Sequence, residues 1–390
     1  MIELPFFAKA AFALICALLI AFATTPIVKM LAYKVGAMDV PKDNRRMHKH
    51  PIARMGGLAI FLGFLLSTII FVPLTTQIKG MLLGGVIIVV LGIIDDIYAL
   101  PAMPKFIVQI VAATIAACSG NVIAVVSNPN IFSDNPYWVL GALSIPVTVI
   151  WIVAITNAVN LIDGLDGLAV GVVSISAMTM LVIAVILRVG NVALMMAALA
   201  GACLGFLPYN VNPAKIFMGD TGSTFLGFIL ATVSVQGLFK FYTIISFAVP
   251  FLLLGLPIFD ICFAVLRRIS KGQSPMAPDR SHVHHRLIDM GCNQKQAVAI
   301  LYIISAILGL SAVVLTTSGE VKAMILLVAL CTAFAIVSKV YLFGGHEKKH
   351  EEDQPELQTE PPSDPMPKTE AIPEVDREAG NKQDTDEEES

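Results

Sequence analysis

The segment PFFAKAAFALICALLIAFATTPI, residues 5–27, decides the fold class. Lys9 is its one charged residue, and the rest is apolar or weakly polar. About 20 such residues are enough to cross the hydrocarbon core of a bilayer as a helix. A cleaved signal peptide would be followed by a small-residue cleavage site and a soluble domain, and neither pattern follows this segment. The segment is therefore interpreted as a first membrane helix.

Similar apolar runs recur along the chain. Hydrophobic residues make up 56% of it and charged residues 14%, a balance that excludes a soluble globular protein. About eleven runs are candidates for crossing a membrane, and they start near residues 5, 55, 79, 105, 137, 166, 190, 221, 242, 296 and 321. The sequence therefore predicts an all-α, polytopic integral membrane protein whose membrane domain covers residues 1–345.

The net charge of −3 hides an asymmetry between the body and the end of the chain. Residues 347–390 carry about −11, which leaves about +8 for residues 1–346. The acidic, proline-rich segment 346–390 has little to bury, so we expect a disordered tail. If the crossings alternate, most Lys and Arg residues of the body fall in connections on one side of the membrane. The positive-inside rule makes that side cytoplasmic, which predicts an outside N-terminus and a cytoplasmic tail. Nucleic-acid binding is not expected, because these basic residues do not follow one continuous face.

Five segments on the predicted cytoplasmic side differ from their apolar surroundings. The first is DVPKDNRRMHKHPIARMGG, residues 39–57, where seven basic or His side chains precede a Gly pair. Such a patch suits a phosphate at a membrane surface, and it suits equally a topology signal that contacts anionic lipids. The basic candidates for phosphate binding, in this segment and beyond it, are Arg45, Arg46, His48, Arg54, Lys105 and Lys215.

The second segment is the pair Asp95-Asp96, predicted at the C-terminal end of the third helix. A helix C-terminus carries partial negative charge, so two carboxylates there call for a compensating cation. A metal ion or a Lys would serve, and two solvated acids at a helix end are the alternative.

The third segment is NAVNLIDGLDGL, residues 157–168. Asn157, Asn160, Asp163 and Asp166 follow one another at intervals of three, so in helical geometry they would share a face. Asp166 alone could be an N-cap of the sixth helix. That reading leaves the other three polar residues unexplained in so apolar a chain.

The fourth segment, NVNPAKIFMGDTGS, residues 210–223, leads into the eighth crossing. Asp220 is plausible as a helix N-cap. The backbone of Gly219 and Gly222 could also approach a phosphate at that helix N-terminus. The two roles are compatible.

The fifth segment, residues 267–295, contains DRSHVHHR at 279–286. Its candidate residues are His282, His284, His285 and Arg286. The His run suggests zinc, but the companion groups are carboxylates and amides, which favour Mg²⁺ or Mn²⁺. His and Arg then remain to bind phosphate oxygens. Together the five segments indicate phosphoryl transfer between a soluble donor and a lipid acceptor at a membrane surface, with a membrane transporter as the remote alternative.

In this order the segments resemble the polyprenyl-phosphate N-acetylhexosamine-1-phosphate transferase family over nearly all of residues 1–345. The resemblance rests on Asp95-Asp96, NAVNLIDGLDG (157–167), MGDTGS (218–223) and HVHHRL (282–287). Within the family, the chain is most similar to the bacterial undecaprenyl-phosphate N-acetylglucosamine-1-phosphate transferases that initiate teichoic-acid linkage units, O-antigen and related glycans. A cell-membrane location with a cytoplasmic active site is implied.

The resemblance implies attack of undecaprenyl phosphate on the sugar-bearing phosphorus of UDP-N-acetylglucosamine, with release of UMP. It assigns Asp220 and Asn160 to Mg²⁺, and it places Asp95 and Asp96 at the acceptor phosphate or the metal. Asp163 and Asp166 are directed to the nucleotide side, and the HVHHR run to the diphosphate and sugar. Asp95 as a general base remains open, because a phosphate monoester is mostly dianionic at neutral pH.

The near alternative is the sister enzyme of peptidoglycan synthesis, which uses UDP-N-acetylmuramoyl-pentapeptide. Such enzymes resemble Pro-Thr-Met-Gly-Gly where this chain has Ala53-Arg-Met-Gly-Gly57. They also have three consecutive His where this chain has His282-Val-His-His. The oligomeric state is left open, with a homodimer as one candidate.

Overall fold

The structure is a computed structural model that describes residues 5–40, 51–127, 135, 137–237, 244–270, 272 and 282–317. Twelve helices make up most of this part of the chain, and they confirm the predicted all-α, polytopic class. The helices are α1 (Phe6–Val35), α2 (Gly57–Phe71), α3 (Thr76–Tyr98), α4 (Ala102–Cys118), α5 (Ser144–Leu161), α6 (Leu168–Ile186), α7 (Gly190–Asn210), α8 (Gly219–Gly237), α9 (Ile244–Leu253), α10 (Gly255–Ser270), α11 (Val283–Asp289) and α12 (Gln294–Thr317).

Six stretches of the described chain are long and apolar enough to cross a membrane. They are Phe6–Val35, Thr76–Tyr98, Gly141–Leu161, Leu168–Ile186, Gly190–Asn210 and Gln294–Thr317. The helices α2 and α4 are apolar but shorter. The predicted crossing that starts near residue 321 and the acidic tail lie outside the described residues, so the count of eleven stays a prediction.

Eight of the nine predicted starts that fall in the described chain lie within three residues of an observed helix start. The exception is the crossing predicted from residue 137, where Tyr137–Val139 form a strand and the α-helix begins at Ser144. The run predicted from residue 242, whose first two residues lie outside the described chain, also differs, because its described part forms two helices on either side of Leu254. Pro250, Gly255 and Pro257 in this run weaken a continuous helix.

Two small antiparallel hairpins interrupt the helices. Strand β1 (Met38–Asp39) pairs with β2 (Ile52–Ala53), and Met38 lies opposite Ala53. Strand β3 (Val125–Ser127) pairs with β4 (Tyr137–Val139), and Val125 lies opposite Val139. Strands of two or three residues are too short to produce an alternating pattern that could be recognised in the sequence.

Helix α8 is the centre of the described bundle. All but one of its residues are buried, and it packs against α2, α3, α5, α6 and α7. Close approach at its N-terminal end requires glycine. A Cβ on Gly57 would overlap the backbone of Gly222, and one on Gly92 would overlap Thr221. These contacts bring the starts of α2 and α8 and the end of α3 to one place.

Small residues also join α1 to α7. Ala13, Ala17 and Ala21 are fully buried on α1. A Cβ on Gly201 or Gly205 of α7 would overlap backbone carbonyls of α1. In a lipid bilayer the hydrophobic effect does not drive helices to associate. Small residues let the helix backbones approach closely, so van der Waals packing stabilises the contact instead.

Candidate active site

The polar centre of the molecule lies where α3 ends and α8 begins. Asp95 and Asp96 occupy the last turn of α3, as predicted, and Asp220 lies in the first turn of α8. A carboxylate in the first turn of a helix is favoured by the helix dipole, whereas carboxylates in the last turn are not. The pair on α3 therefore needs partners from elsewhere in the chain.

A metal ion or a Lys was the expected compensating cation, and in the structure Lys105 of α4 compensates Asp95. Its Nζ donates to Asp95 Oδ2 at 2.9 Å and to Asp220 Oδ2 at 3.0 Å. One ammonium group thus joins carboxylates from α3 and α8. The other oxygen of Asp95 accepts the backbone N–H of Leu100 at 2.7 Å.

Asp96 has different partners from its neighbour. Its Oδ1 accepts the N–H of Asp220 at 2.9 Å, and its Oδ2 accepts the N–H and the hydroxyl of Thr221 at 3.1 and 2.7 Å. Arg54 Nε lies 3.5 Å from Asp96 Oδ1. The carboxylate of Asp96 therefore caps the N-terminus of α8, so Asp220 is not the cap that the sequence made plausible.

Asn160, near the end of α5, reaches the same centre. Its Nδ2 donates to Ser223 Oγ at 2.8 Å and lies 3.3 Å from Asp220 Oδ1. Arg54 also approaches Asp220, with an N–O distance of 3.7 Å. The structure thus brings together Arg54, Asp95, Lys105, Asn160 and Asp220 from five separate parts of the chain.

Asp163 follows α5 and is half-buried. Its carboxylate makes no hydrogen bond to the residues that the structure describes. Burial raises the pKa of Asp163 to about 7, the charge of Asp220 adds to this, and Arg54 opposes it. Such a group gains charge readily when a cation approaches, which is typical of a functional carboxylate.

Asp166 is separate from this group. Its Oδ2 accepts from Asn212 Nδ2 at 2.9 Å and from the N–H of Ala214 at 3.0 Å. The helix α6 begins at Leu168 after Gly167 and has no side-chain cap, so the N-cap interpretation of Asp166 is wrong. The carboxylate instead holds the loop between α7 and α8. Asp166 does not share a face with Asn157 and Asn160, because α5 ends at Leu161 and the helical spacing stops there.

A cavity of about 700 Å³ opens beside the polar centre. Asp95, Lys105, Asn160 and Asp220 lie in its wall, together with Asn157, whose Nδ2 donates to Gln109 Oε1 at 2.6 Å. Most of the remaining wall is apolar and includes Leu91, Phe106, Ile110, Val149, Ile150, Val153, Ala154 and Ile261. The cavity thus pairs a charged end with an apolar channel between α3, α4, α5 and α10.

The His run lies beside this cavity at the start of α11. His282 lines the cavity wall, and its Nδ1 lies 2.8 Å from Asp260 Oδ2 of α10. The rings of His282 and His284 are stacked, with centroids 5.8 Å apart, and the ring of His285 lies 4.3 Å from that of His284.

His284 and Arg286 lie outside the cavity wall. His284 is buried against Gly164, whose Cβ, if added, would overlap the imidazole. Burial lowers the pKa of His284 to about 4, with a smaller contribution in the same direction from the neighbouring His285. His284 is therefore a neutral packing group, whereas Arg286, two residues further along α11, is half-buried.

Among the remaining basic candidates, Lys215 is described and does not line this cavity. Lys215 is exposed on the loop between α7 and α8. Arg45, Arg46 and His48 lie outside the described residues.

Sequence reasoning missed Gln109, Thr221, Ser223, Asp260 and Arg268. Gln109, Asp260 and Arg268 line the cavity or hold a residue that lines it. Gln109 and Asp260 are each a lone polar residue in an apolar run, and such residues in membrane segments are functional candidates by default, whereas Arg268 follows Arg267 at the end of such a run. That signal was available from the sequence. The capping role of Thr221 required the structure.

Comparison with known proteins agrees with this site. The glycosyl transferase family 4 profile matches residues 78–238, which include the carboxylates of α3 and α8. A probable undecaprenyl-phosphate N-acetylglucosaminyl 1-phosphate transferase from Bacillus subtilis is 42% identical over 331 residues, 84% of this chain and 91% of that protein.

More distant relatives have similar names. A decaprenyl-phosphate N-acetylglucosaminephosphotransferase from Mycobacterium tuberculosis is 36% identical over 323 residues, 74% of this chain and 78% of that protein. An undecaprenyl-phosphate alpha-N-acetylglucosaminyl 1-phosphate transferase from Thermotoga maritima is 31% identical over 268 residues, 68% of this chain and 78% of that protein. The chain therefore belongs to glycosyl transferase family 4, the family of the polyprenyl-phosphate N-acetylhexosamine-1-phosphate transferases that its motifs resemble.

Proposed function

We propose that this chain transfers N-acetylglucosamine 1-phosphate from UDP-N-acetylglucosamine to undecaprenyl phosphate and releases UMP. A phosphate oxygen of the lipid attacks the sugar-bearing phosphorus, and the bond from that phosphorus to the UMP oxygen breaks. The lipid-diphosphate-sugar product then starts a cell-envelope glycan such as a teichoic acid or O-antigen. The names of the relatives support the sugar and the lipid class.

The observation that carries the proposal is the form of the cavity. Its charged end presents Lys105 between two carboxylates, and its wall continues as an apolar channel. A polyprenyl phosphate has the same division, with one phosphate on a long hydrocarbon chain. Burial of that chain along the apolar wall supplies binding energy, while Lys105 and Arg54 attract the phosphate.

The acceptor needs alignment more than deprotonation. A phosphate monoester has a second pKa near 6, so the lipid phosphate is mostly dianionic at neutral pH. Asp95 already accepts hydrogen bonds from Lys105 and from the N–H of Leu100. In this proposal Asp95 orients Lys105 toward the acceptor and does not remove a proton.

The donor set also fits a divalent cation. Asp95 and Asp220 share one cation already, the ammonium of Lys105, and Asn160 adds an amide beside Asp220. Within the described chain, no three Asp, Glu, His or Cys side chains form a complete metal cage. Mg²⁺ typically uses one or two carboxylates and completes its shell with substrate phosphates. We propose that Asp220 and Asn160 hold Mg²⁺ or Mn²⁺ against the donor diphosphate, where the ion would neutralise developing negative charge.

A turnover assay tests the reaction. Purified protein in detergent receives undecaprenyl phosphate, Mg²⁺ and one of several UDP-sugars, and nucleotide and lipid products are identified by chromatography and mass spectrometry. We expect UMP and lipid-diphosphate-N-acetylglucosamine. A higher kcat/KM with UDP-N-acetylmuramoyl-pentapeptide, or UDP in place of UMP, would contradict the proposal.

A separate experiment tests the metal. Excess chelator should abolish turnover, and added Mg²⁺ or Mn²⁺ should restore it. Asp220→Asn should lower kcat by at least about a hundredfold, because it removes the charge that holds both the ion and Lys105. The protein should still insert, which size-exclusion chromatography verifies. Full activity in chelator would refute the metal.

A further inference from the structure

The residue Asp260 has no role in the function described so far. It lies on α10 in the apolar stretch Gly255–Leu266 and is 3% exposed. A buried carboxylate in such surroundings is expensive unless its oxygens are hydrogen-bonded. Both oxygens have partners, and both partners belong to the start of α11.

The two contacts tie α10 to the His run. Asp260 Oδ1 accepts the N–H of Val283 at 2.9 Å, and Oδ2 lies 2.8 Å from His282 Nδ1. An ionised carboxylate can only accept, so Nδ1 of the imidazole carries a proton. One hydrogen bond holds the His282 ring at Nδ1 and the other holds the backbone next to it, so one side chain restrains both the position and the rotation of the ring.

This arrangement leaves the other ring nitrogen for a ligand. Nε2 lies on the side of the ring away from Nδ1, and it makes no hydrogen bond to any residue that the structure describes. His282 lines the cavity that also contains Asp95, Lys105 and Asp220. With a second proton, taken up from solvent at Nε2, the ring is an imidazolium paired with Asp260, and Nε2 can then donate a hydrogen bond to a phosphate oxygen.

We propose that Asp260 is a positioning residue that holds His282 with Nε2 toward the cavity, where Nε2 donates to a phosphate oxygen of the nucleotide-sugar donor. The inference rests on the proposed function for the identity of that donor. The inference adds a functional pair, Asp260 and His282, to that proposal. A carboxylate that orients an imidazole affects the reaction only through that imidazole. Loss of Asp260 should therefore matter only when His282 is present.

A double-mutant cycle tests this dependence. The variants are Asp260→Asn, His282→Ala and the combination, and each is assayed for kcat/KM with UDP-N-acetylglucosamine and for binding of that donor by calorimetry without the lipid. Asp260→Asn keeps the volume and an acceptor for Val283, so folding is preserved. The amide cannot stabilise an imidazolium.

We expect Asp260→Asn to lower kcat/KM about tenfold or more, largely through a higher KM, and to weaken donor binding by a similar factor. In the His282→Ala background the same substitution should change kcat/KM by less than about twofold. Asp289→Asn, an exposed acid at the end of α11, is the matched control and should leave both quantities unchanged.

Two results would overturn the role of Asp260. One is an Asp260→Asn protein with wild-type kcat/KM. The other is equal loss from Asp260→Asn with and without His282, which would indicate a structural role independent of the imidazole. If a variant is poorly stable, the binding measurement on its folded fraction decides between these outcomes. An inactive wild-type protein would instead refute the proposed donor, so the two failures are distinguishable.

Discussion

At the scale of single residues, Asp95 and Asp96 are adjacent in the chain but have different partners. Asp95 lines the cavity and pairs with Lys105. The Asp96 carboxylate, which the resemblance directed to the acceptor phosphate or the metal, accepts three hydrogen bonds from the start of α8. Adjacent side chains in a helix point in different directions, so the two carboxylates meet different partners. The sequence does not show which of them binds a ligand and which caps a helix.

The pair therefore predicts different effects of the same substitution. Asp95→Asn keeps an oxygen for Leu100 N–H, so stability should change little while kcat falls. Asp96→Asn turns an NH₂ group toward backbone N–H donors and leaves one of them without an acceptor, which costs about 1–3 kcal/mol. Thermal unfolding in detergent should show a lower Tm for Asp96→Asn only. Equal Tm values would mean that the cap is not important for stability.

His284 predicts a pH dependence of stability. Burial lowers its pKa to about 4 in the folded protein, whereas the ordinary value is 6.5. Below pH 6.5 the unfolded chain binds a proton that the folded protein does not, so stability falls as pH drops from 6.5 toward 4, by at most about 1.4 kcal/mol per pH unit. His284→Gln should flatten the change of Tm over this window. An unchanged slope in the variant would contradict this origin.

At the scale of elements, the apolar pattern predicted where helices begin but not how they end or break. The start of α7 at Gly190 agrees with the sequence, because a long apolar run bounded by polar residues leaves few choices. The division between α9 and α10 was missed, although Pro250 and Pro257 lie in the run. The spacing of Asn157 to Asp166 predicted one shared face, but α5 ends at Leu161 and Asp166 binds a different loop.

The contact of α3 with α8 yields a prediction with a control on the same helix. Gly92→Ala places a Cβ against the backbone of Thr221, which neither helix can relieve without moving. The nearest atom to a Cβ on Gly85 is Phe225 Cε2 at 3.5 Å, an ordinary contact. We expect Gly92→Ala to lower kcat at least about tenfold by displacing Asp220, and Gly85→Ala to stay within twofold. Activity and Tm are measured for both, and a harmless Gly92→Ala would contradict the close packing.

At the scale of the whole described molecule, the functional groups gather at one end of the helices. Asp95 lies in the last turn of α3, Asn160 in the last turn of α5, Asp220 in the first turn of α8 and Arg268 in the last turn of α10. Intramembrane sites of transporters lie near the bilayer midplane, where helices are often discontinuous. A site at helix ends is suited to an enzyme whose donor is soluble and whose acceptor is held in the bilayer, so the transporter alternative is disfavoured.

The same geometry shows which loops lie at the same end of the helices. Asp166, before α6, binds Asn212, after α7, so the loop between those helices, with Arg188, lies at the opposite end. At about 1.5 Å per residue the 19 residues of α6 separate the two ends by about 28 Å. Lys215 lies at the end that carries Arg54 and Lys105. The positive-inside rule then predicts a cytoplasmic Lys215 and an external Arg188.

Cysteine labelling tests this orientation. Lys215 and Arg188 are both exposed, so each can be replaced by Cys in a variant that lacks the six native cysteines. A membrane-impermeant maleimide added to intact spheroplasts should label Arg188→Cys but not Lys215→Cys. Lys215→Cys should react only after the membrane is opened. In this proposal UDP-N-acetylglucosamine is a cytosolic metabolite, and the loop of Lys215 lies on the side from which it must enter. The reverse pattern would place the site outside the cell, where no nucleotide-sugar donor is supplied, and would therefore contradict both the topology and the proposed donor.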